Sequence, residues 1–544
     1  MSLPSFADII SNETTGTGCG AGLTWEYDTE TKTLTISGTG NMSDFDRSST
    51  GMMAPWRKVT KIKNNLEKVV ISEGVTSIGD YAFFYCDKLT SVIIPGSVKS
   101  IGKEAFYYCD ALPGITIPEG VANIGEDAFQ SCTGLTNVTI PRSVISIGDG
   151  AFDSCSALTD IAIPDGVKSI GAYAFQYCSG LINISLSDSI TSIGDRAFYG
   201  TACYNNWYEN SEQCSVLYIG HHLIKADEWA LGKNKVLGYT VESGTKTIAD
   251  CAFYYCDSLT EITIPDSVVS IGSRAFDSCN GLTSITLPES VAYIGRFAFY
   301  TCFNLESINV AGDNTAYCSE DGILYNKDKT EIIRFPKEKT DTLFAIPHSV
   351  TSIADGAFED CRKLTSIIIP YSVTSIGEHA FLNCEALTGI TIPDGVLCIS
   401  EKTFFGCESM TSVTIPNSVL IIEEGAFENC LKSIKVNYIG SEDDWNEVIG
   451  AGKNILSSAN INYCKGIKAV RSADGKIVVK PFNMESGTVI LALYNGDKLA
   501  EVQSGIYNGT EITFTPTENY TRAKAMVWES LDGLIPVCGA KNIE

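Results

Sequence analysis

Histidine is scarce: the 544 residues hold only His221, His222, His348 and His379. So little imidazole leaves few options for a Cys–His nucleophile or a histidine-built metal centre. Basic charge is also short, with 39 Lys and Arg against 65 Asp and Glu and a formal net charge of −26. That balance argues against nucleic acid and anionic membrane surfaces as partners, since both need basic patches. No run of about 18 apolar residues occurs, so no segment is expected to insert in a membrane. The start, MSLPSFADII, lacks the basic-then-apolar pattern of a signal peptide. The end, CGAKNIE, carries no wall-sorting or lipid-anchor signal. GxSxG, Walker A, HExxH and dinucleotide fingerprints are absent. The acidic stretches GDNTAYCSEDG and SEDDWNE lack EF-hand spacing. These absences predict no catalytic residue, no cofactor and no metal. Cys203, Cys214, His221 and His222 are the nearest thing to a zinc set, but their spacing matches no standard site.

Repetition, by contrast, is abundant. AFFYCDKLTSVIIPGSVKSIG from Ala82 is rewritten from Ala105 and again from Ala252. Thirteen Phe mark the units: Phe83, Phe106, Phe129, Phe152, Phe175, Phe198, Phe253, Phe276, Phe299, Phe358, Phe381, Phe404 and Phe427, with a step of 23 inside each block. This period falls in the leucine-rich-repeat window of roughly 20–29 residues. Within a unit, VIIP or ITIP alternates, is β-branched and reads as a short strand that Pro closes. VxxIG turns the chain or adds a second short strand. DxAFxxC is long enough for about one helical turn. One such coil buries too little apolar surface to offset its ordering, so coils must stack on one another. Ala249, Ala354, Ser400 and Glu423 occupy the usual Gly site, which therefore does not demand positive φ.

The pattern CxxLxxIxIPxxVxxIGxxAFxxC resembles the bacterial leucine-rich repeat of BspA-like surface proteins, over about residues 19–463. Ser187, Thr403 and Met410 depart from it. The expected fold is a leucine-rich-repeat solenoid, β-rich with short helical turns and a parallel sheet, followed by a small all-β sandwich. Residues 1–65 are read as an N-terminal segment and β-hairpin cap, with Trp25 and Trp56 covering the first coil. Residues 66–463 are the solenoid, with irregular stretches at about 199–250 and 303–352. Its C-terminal cap at 431–463 includes a helix on which Trp445, Val448 and Ile449 share one face. Residues 464–544, with strand-like runs and Asn-Gly and Asp-Gly turns, are read as a module of immunoglobulin or fibronectin type.

Twelve of the twenty Cys stand three residues after a repeat Phe. Stacked coils bring such Cα atoms within disulfide range, but their Cβ vectors run parallel, which favours a ladder of buried thiols. Hydroxyls dominate the outward strand positions, among them Thr90, Thr136, Thr260 and Thr411. They serve either β-propensity on a wet face or ligand binding. The two residues between Phe and Cys vary, and they point away from the core. Phe84, Tyr85, Tyr107, Tyr108, Tyr177, Tyr199, Tyr254, Tyr255 and Tyr300 make these positions aromatic in the N-terminal and middle coils. Register stacks Phe84 beside Tyr107 and Tyr85 beside Tyr108. This strip is the candidate binding site, since Tyr suits recognition; the competing reading is that the rings only shield the coil backbone.

The resemblance implies an extracellular or cell-surface adhesin. Its partners would be a protein or glycan ligand on host or neighbouring microbes. A spacer that displays another module, and a glycan-binding or glycan-processing protein, are the alternatives. The sequence sets no oligomeric state.

Overall fold

A computed structural model describes residues 15–47, 52–430, 434–456, 460–463, 466–471, 476–482, 487–495, 498–508, 510–517, 522–528 and 541–543. Two units divide the chain, 1–317 and 318–544.

In the first unit the alternating apolar residues of each coil become two thin parallel strands. Lys68–Ile71 pairs with Ser91–Ile93 at a shift of one repeat, Lys68 opposite Ser91. The VxxIG segment is a second strand: Ser100–Ile101, Asn123–Ile124, Ser146–Ile147, Ser169–Ile170 and Ser192–Ile193 lie side by side in a seven-stranded sheet. The first sheet is not continuous. It stops between Ser91–Ile93 and Gly114–Thr116. Thr90 donates its N–H to Glu67 O (2.7 Å), whereas the next coil has Pro113 at that position and no N–H to give.

The segment DxAFxxC is not helical. It forms tight turns in which the residues before Ala and before Cys are left-handed: Tyr81 and Tyr85 have φ of 55° and 58°. Alternate N–H groups then face the next coil, Tyr81 to Lys103 O, Phe83 to Ala105 O and Tyr85 to Tyr107 O at 2.7–2.8 Å. A helix would have spent those donors within the coil. Gly102 has no positive φ, in keeping with the sequence expectation. It is small because a Cβ there would stand 2.5 Å from Asp80 Oδ1 and 2.6 Å from Asp80 N.

Inside, the repeat Phe rings stack from Phe83 to Phe198 with centroids 5.1–5.6 Å apart. Each is fully buried, so coil-to-coil contact is aromatic along the axis. Trp56 lies flat on Phe83 (5.5 Å, 17°) and donates its indole N–H to Ala82 O; Trp25 meets Trp56 edge-on at 6.4 Å. The hairpin Leu23–Asp28/Thr33–Gly38 continues this end through Thr33–Gly38, which pairs in parallel with Lys68–Ile71. Asp28 Oδ1 ties its turn by accepting from Glu30 and Thr31 N–H.

The stretch after Phe198 holds a helix (Ala202–Glu209), a hairpin (Val216–Ile219/His222–Ala226) and a helix (Glu228–Lys233). The hairpin's second strand joins the small strands of later coils, His222 opposite Thr247.

In the second unit the hairpin Ile323–Asn326/Glu331–Arg334 leads into the coils the same way, Glu331 opposite Ser352. Phe335 begins a Phe stack that runs through Phe358, Phe381 and Phe404 to Phe427 at 5.0–5.3 Å. The helix Glu442–Glu447 opens on Ser441 with a capping box to Asp444 and buries Trp445. It ends before Val448, so Ile449 does not share its face: Ile449 is exposed and accepts from Ile422 N–H in extended backbone. Beyond residue 465, a three-stranded and a four-stranded antiparallel sheet are built from Gly466–Arg471 onward. Ile477, Val479 and Phe514 of one, with Val489, Leu491, Leu493, Ala523 and Ala525 of the other, form one core. That is a small sandwich.

Candidate functional site: an aromatic turn edge and an adjoining cleft

The turn edge carries the sequence-predicted residues, and it is not uniformly outward. Phe84 is only 5% exposed. It lies under the Arg57 guanidinium (4.9 Å) and that of Arg47 (5.3 Å), and it stacks on Tyr107 at 5.0 Å. The expectation that both residues before Cys point away from the core therefore fails at Phe84. It fails also at Glu359 and Asp360, which are buried beside Lys337, with Lys337 Nζ 2.7 Å from Asp360 Oδ2. Tyr85 stacks on Tyr108 at 4.8 Å and 5°, yet keeps 43% of its surface open. Tyr177 and Tyr255 are 52% and 51% exposed, while Tyr107, Tyr108, Tyr254 and Tyr300 are half-buried.

Four of these tyrosines, Tyr85, Tyr108, Tyr177 and Tyr255, sit at the left-handed position before Cys, with φ of 53–64°. Equivalent coils use Ser131, Ser154, Asn383 and Gly406 there. The backbone alone favours Gly or Asn at such a position. A tyrosine is therefore not what the turn asks for.

Tyr199 and Tyr254, 55 positions apart, come together at a cleft of about 330 Å³ within the first unit. It opens where the Phe stack is interrupted after Phe198. There the turn-edge ladder changes partner: Ala226 of the inserted hairpin donates to Ala252 O (2.7 Å). Tyr204, from the inserted helix, completes an aromatic wall, edge-on to Tyr199 at 5.2 Å. Arg196, Lys225 and Arg274 line the cleft with Asp195 and Asp250. Lys225 Nζ donates to Cys251 O (2.9 Å), and Asp250 Oδ1 accepts from Ser273 N–H (2.7 Å). Burial pushes the Asp250 carboxyl up to about 6. Tyr204, Arg196, Lys225 and Arg274 were not singled out in the sequence. The inserted stretch at about 199–250 carries Tyr204 and Lys225, while Arg196 and Arg274 come from the repeat coils on either side of it.

The other candidates are used elsewhere. His221 Nδ1 is 2.7 Å from Asp188 Oδ1, and His222 Nε2 is bonded to Ser187 O, so neither turns toward Cys203 or Cys214. Among the described residues no group of three or more His, Cys, Asp or Glu is arranged to hold a metal ion. Ladder thiols donate back one coil, Cys132 Sγ to Phe106 O (3.1 Å), Cys155 Sγ to Phe129 O (3.2 Å) and Cys178 Sγ to Phe152 O (3.0 Å). Thr hydroxyls do likewise on the strand face, Thr90 to Glu67 O, Thr136 to Pro113 O and Thr411 to Thr388 O. That gives the Thr column a structural role.

The model of the BspA type leucine rich repeat region matches residues 61–156, 100–213, 246–342 and 339–447. The chain belongs to this family. Among solved structures it is similar to a leucine rich cell surface protein from Faecalibacterium prausnitzii A2-165, at 29% identity over 80% of this chain and 98% of that one, TM-score 0.36. It is also similar to a leucine-rich repeat protein from Bacteroides ovatus ATCC 8483, at 22% identity over 77% and 98%, TM-score 0.27. No curated protein matches. Among the described residues no helix is long and apolar enough to cross a membrane.

Proposed function

We propose that this BspA-type chain is a cell-surface interaction protein that captures a macromolecule of the host or of neighbouring microbes, and that it does no chemistry of its own. The observation that carries the reading is the placing of open tyrosines at left-handed turn positions. Tyr85, Tyr177 and Tyr255 each hold about half their surface to solvent at a site where a smaller residue would sit with less strain. Rigid amphipathic rings of this kind make binding hot spots. Stacking between Tyr85 and Tyr108 offsets part of the strain, by about 0.5–1.5 kcal/mol. The test is the fourfold variant Tyr85→Ser, Tyr108→Ser, Tyr177→Ser, Tyr255→Ser. Ser131 and Ser154 already occupy the same backbone state, so the fold accepts it. Against immobilised matrix proteins, mucins and glycans, the native chain is expected to bind saturably and the variant to lose capture with its melting temperature nearly unchanged. A variant that melts many degrees lower but keeps its affinity per folded molecule would mark the strip as purely structural.

A further inference from the structure

The cleft after the sixth Phe of the first stack reverses the charge balance of the chain. Acids outnumber bases 65 to 39 overall, yet the lining holds three bases, Arg196, Lys225 and Arg274, and two acids, Asp195 and Asp250. A local excess of cation in a strongly anionic chain focuses attraction for an anion at that place. The three Tyr rings give the same cleft flat apolar faces with hydroxyl tips. Asp195 and Asp250 bring carboxylate oxygens that accept from hydroxyl groups. The volume, about 330 Å³, is at the small end of ligand sites and suits one or two sugar rings.

We propose that this cleft binds a carboxylate-bearing sugar, a uronic-acid or sialic-acid unit of a glycan. Arg196 and Arg274 meet the sugar carboxylate, for which the guanidinium fork is shaped. The C–H face of the ring lies on a tyrosine, and Asp195 and Asp250 accept from ring hydroxyls. Lys225, held by Cys251 O, adds positive charge to the wall without having to move. Arg196 and Arg274 both have left-handed backbone (φ 54° and 52°) and lie over aromatic rings, Arg196 over Tyr199 and Arg274 over Tyr300 at 5.8 Å. These contacts limit the rotamers of both heads before any ligand arrives. The proposal takes from the surface-protein reading only the supply of glycans; it shares Tyr199 and Tyr254 with the tyrosine strip but uses neither Tyr85 nor Tyr108.

The test is calorimetric titration of the full chain with 3′-sialyllactose, digalacturonate and lactose. At least one acidic sugar is expected to bind at least tenfold more tightly than lactose. Which of the two binds names the source, a sialylated glycan or a polyuronide. Arg274→Gln and Arg196→Gln are each expected to weaken that binding at least fivefold, with Arg274→Lys recovering part of it. Tyr254→Ser should weaken it too. Equal affinity for lactose, no heat from either acidic sugar, or arginine variants that bind like the native chain while melting normally would each overturn the proposal. The double variant Tyr85→Ser, Tyr108→Ser, whose rings stack on each other and do not line the cleft, separates the two ideas. It should keep acidic-sugar binding even where macromolecular capture is lost, and its loss of capture would leave the cleft result standing.

Discussion

A left-handed residue is the least visible feature of this repeat and one of the most consequential. The position before Cys varies freely in side chain because the turn constrains φ and not chemistry, as Tyr85, Ser154, Asp360 and Asn429 show. A Cβ at positive φ costs about 1–2 kcal/mol, more for a branched side chain. Ser154 (φ 61°) gives a clean comparison. Its hydroxyl donates to Asp153, a contact that Val and Gly both lack. Ser154→Val is expected to lower stability by about 1–2 kcal/mol relative to Ser154→Gly, read as a shift of the first denaturation midpoint. Equal midpoints would mean that the turn tolerates branching there. Thr301 stands at an equivalent position (φ 44°), but its hydroxyl donates to the Asp277 carboxylate, a compensation Val does not have.

At the scale of the element, each coil works as one rung of several ladders. The Phe carbonyl takes two donors, the N–H of Cys in its own coil and the thiol of the next: Phe106 O accepts from Cys109 N at 3.3 Å and Cys132 Sγ at 3.1 Å. Burial pushes the Cys86 thiol up to about 12 and raises Cys109, Cys155 and Cys279 well above the usual thiol value. The thiolate is the reactive form, so these groups are inert while folded. A chromogenic thiol reagent at pH 8 is expected to titrate Cys214, which is exposed, within minutes, and to reach the ladder only in denaturant without reductant. Prompt modification of Cys132 or Cys155 in the native chain, or mass mapping of a Cys86–Cys109 disulfide, would contradict the ladder. Much of this was legible beforehand. Periodicity located the strands and core, because burial at Val98, Ile101, Ala105 and Phe106 repeats with the chain. The turn conformation was not legible, since AFxxC looks the same to a propensity argument whether its donors bond within the coil or to the next. Nor was the cleft: Tyr199 and Tyr254 adjoin through an insertion whose path no repeat dictates.

At the scale of the molecule, a stack of coils is stable only while its ends are covered. Trp56 covers Phe83 at one end of the first unit, and Tyr438 and Trp445, 5.0 Å apart, lie beyond Phe427 in the second. The core from Ile323 to Leu456 shares no residue with that of Ile477 to Ala525. We propose a domain boundary near residue 464, inside the second unit, and two truncations should then behave differently. Deleting residues 466–544 removes a core that the repeats do not use, so the melting transition of the repeats should stay within a few degrees of its place in the full chain. Ending the chain after Ile147 leaves Phe129 without Phe152, which lies 5.2 Å above it, and strips Asp127, Phe129 and Ser131 of their carbonyl partners Asp149, Ala151 and Asp153. An apolar face and a row of open donors are then bare together, the condition under which a sheet edge recruits other chains. That fragment is expected to aggregate, or to fray over its last coil in hydrogen exchange. A soluble fragment protected to its last coil would show that a coil needs no neighbour above it, and melting of the repeats in the 466–544 deletion would move the boundary.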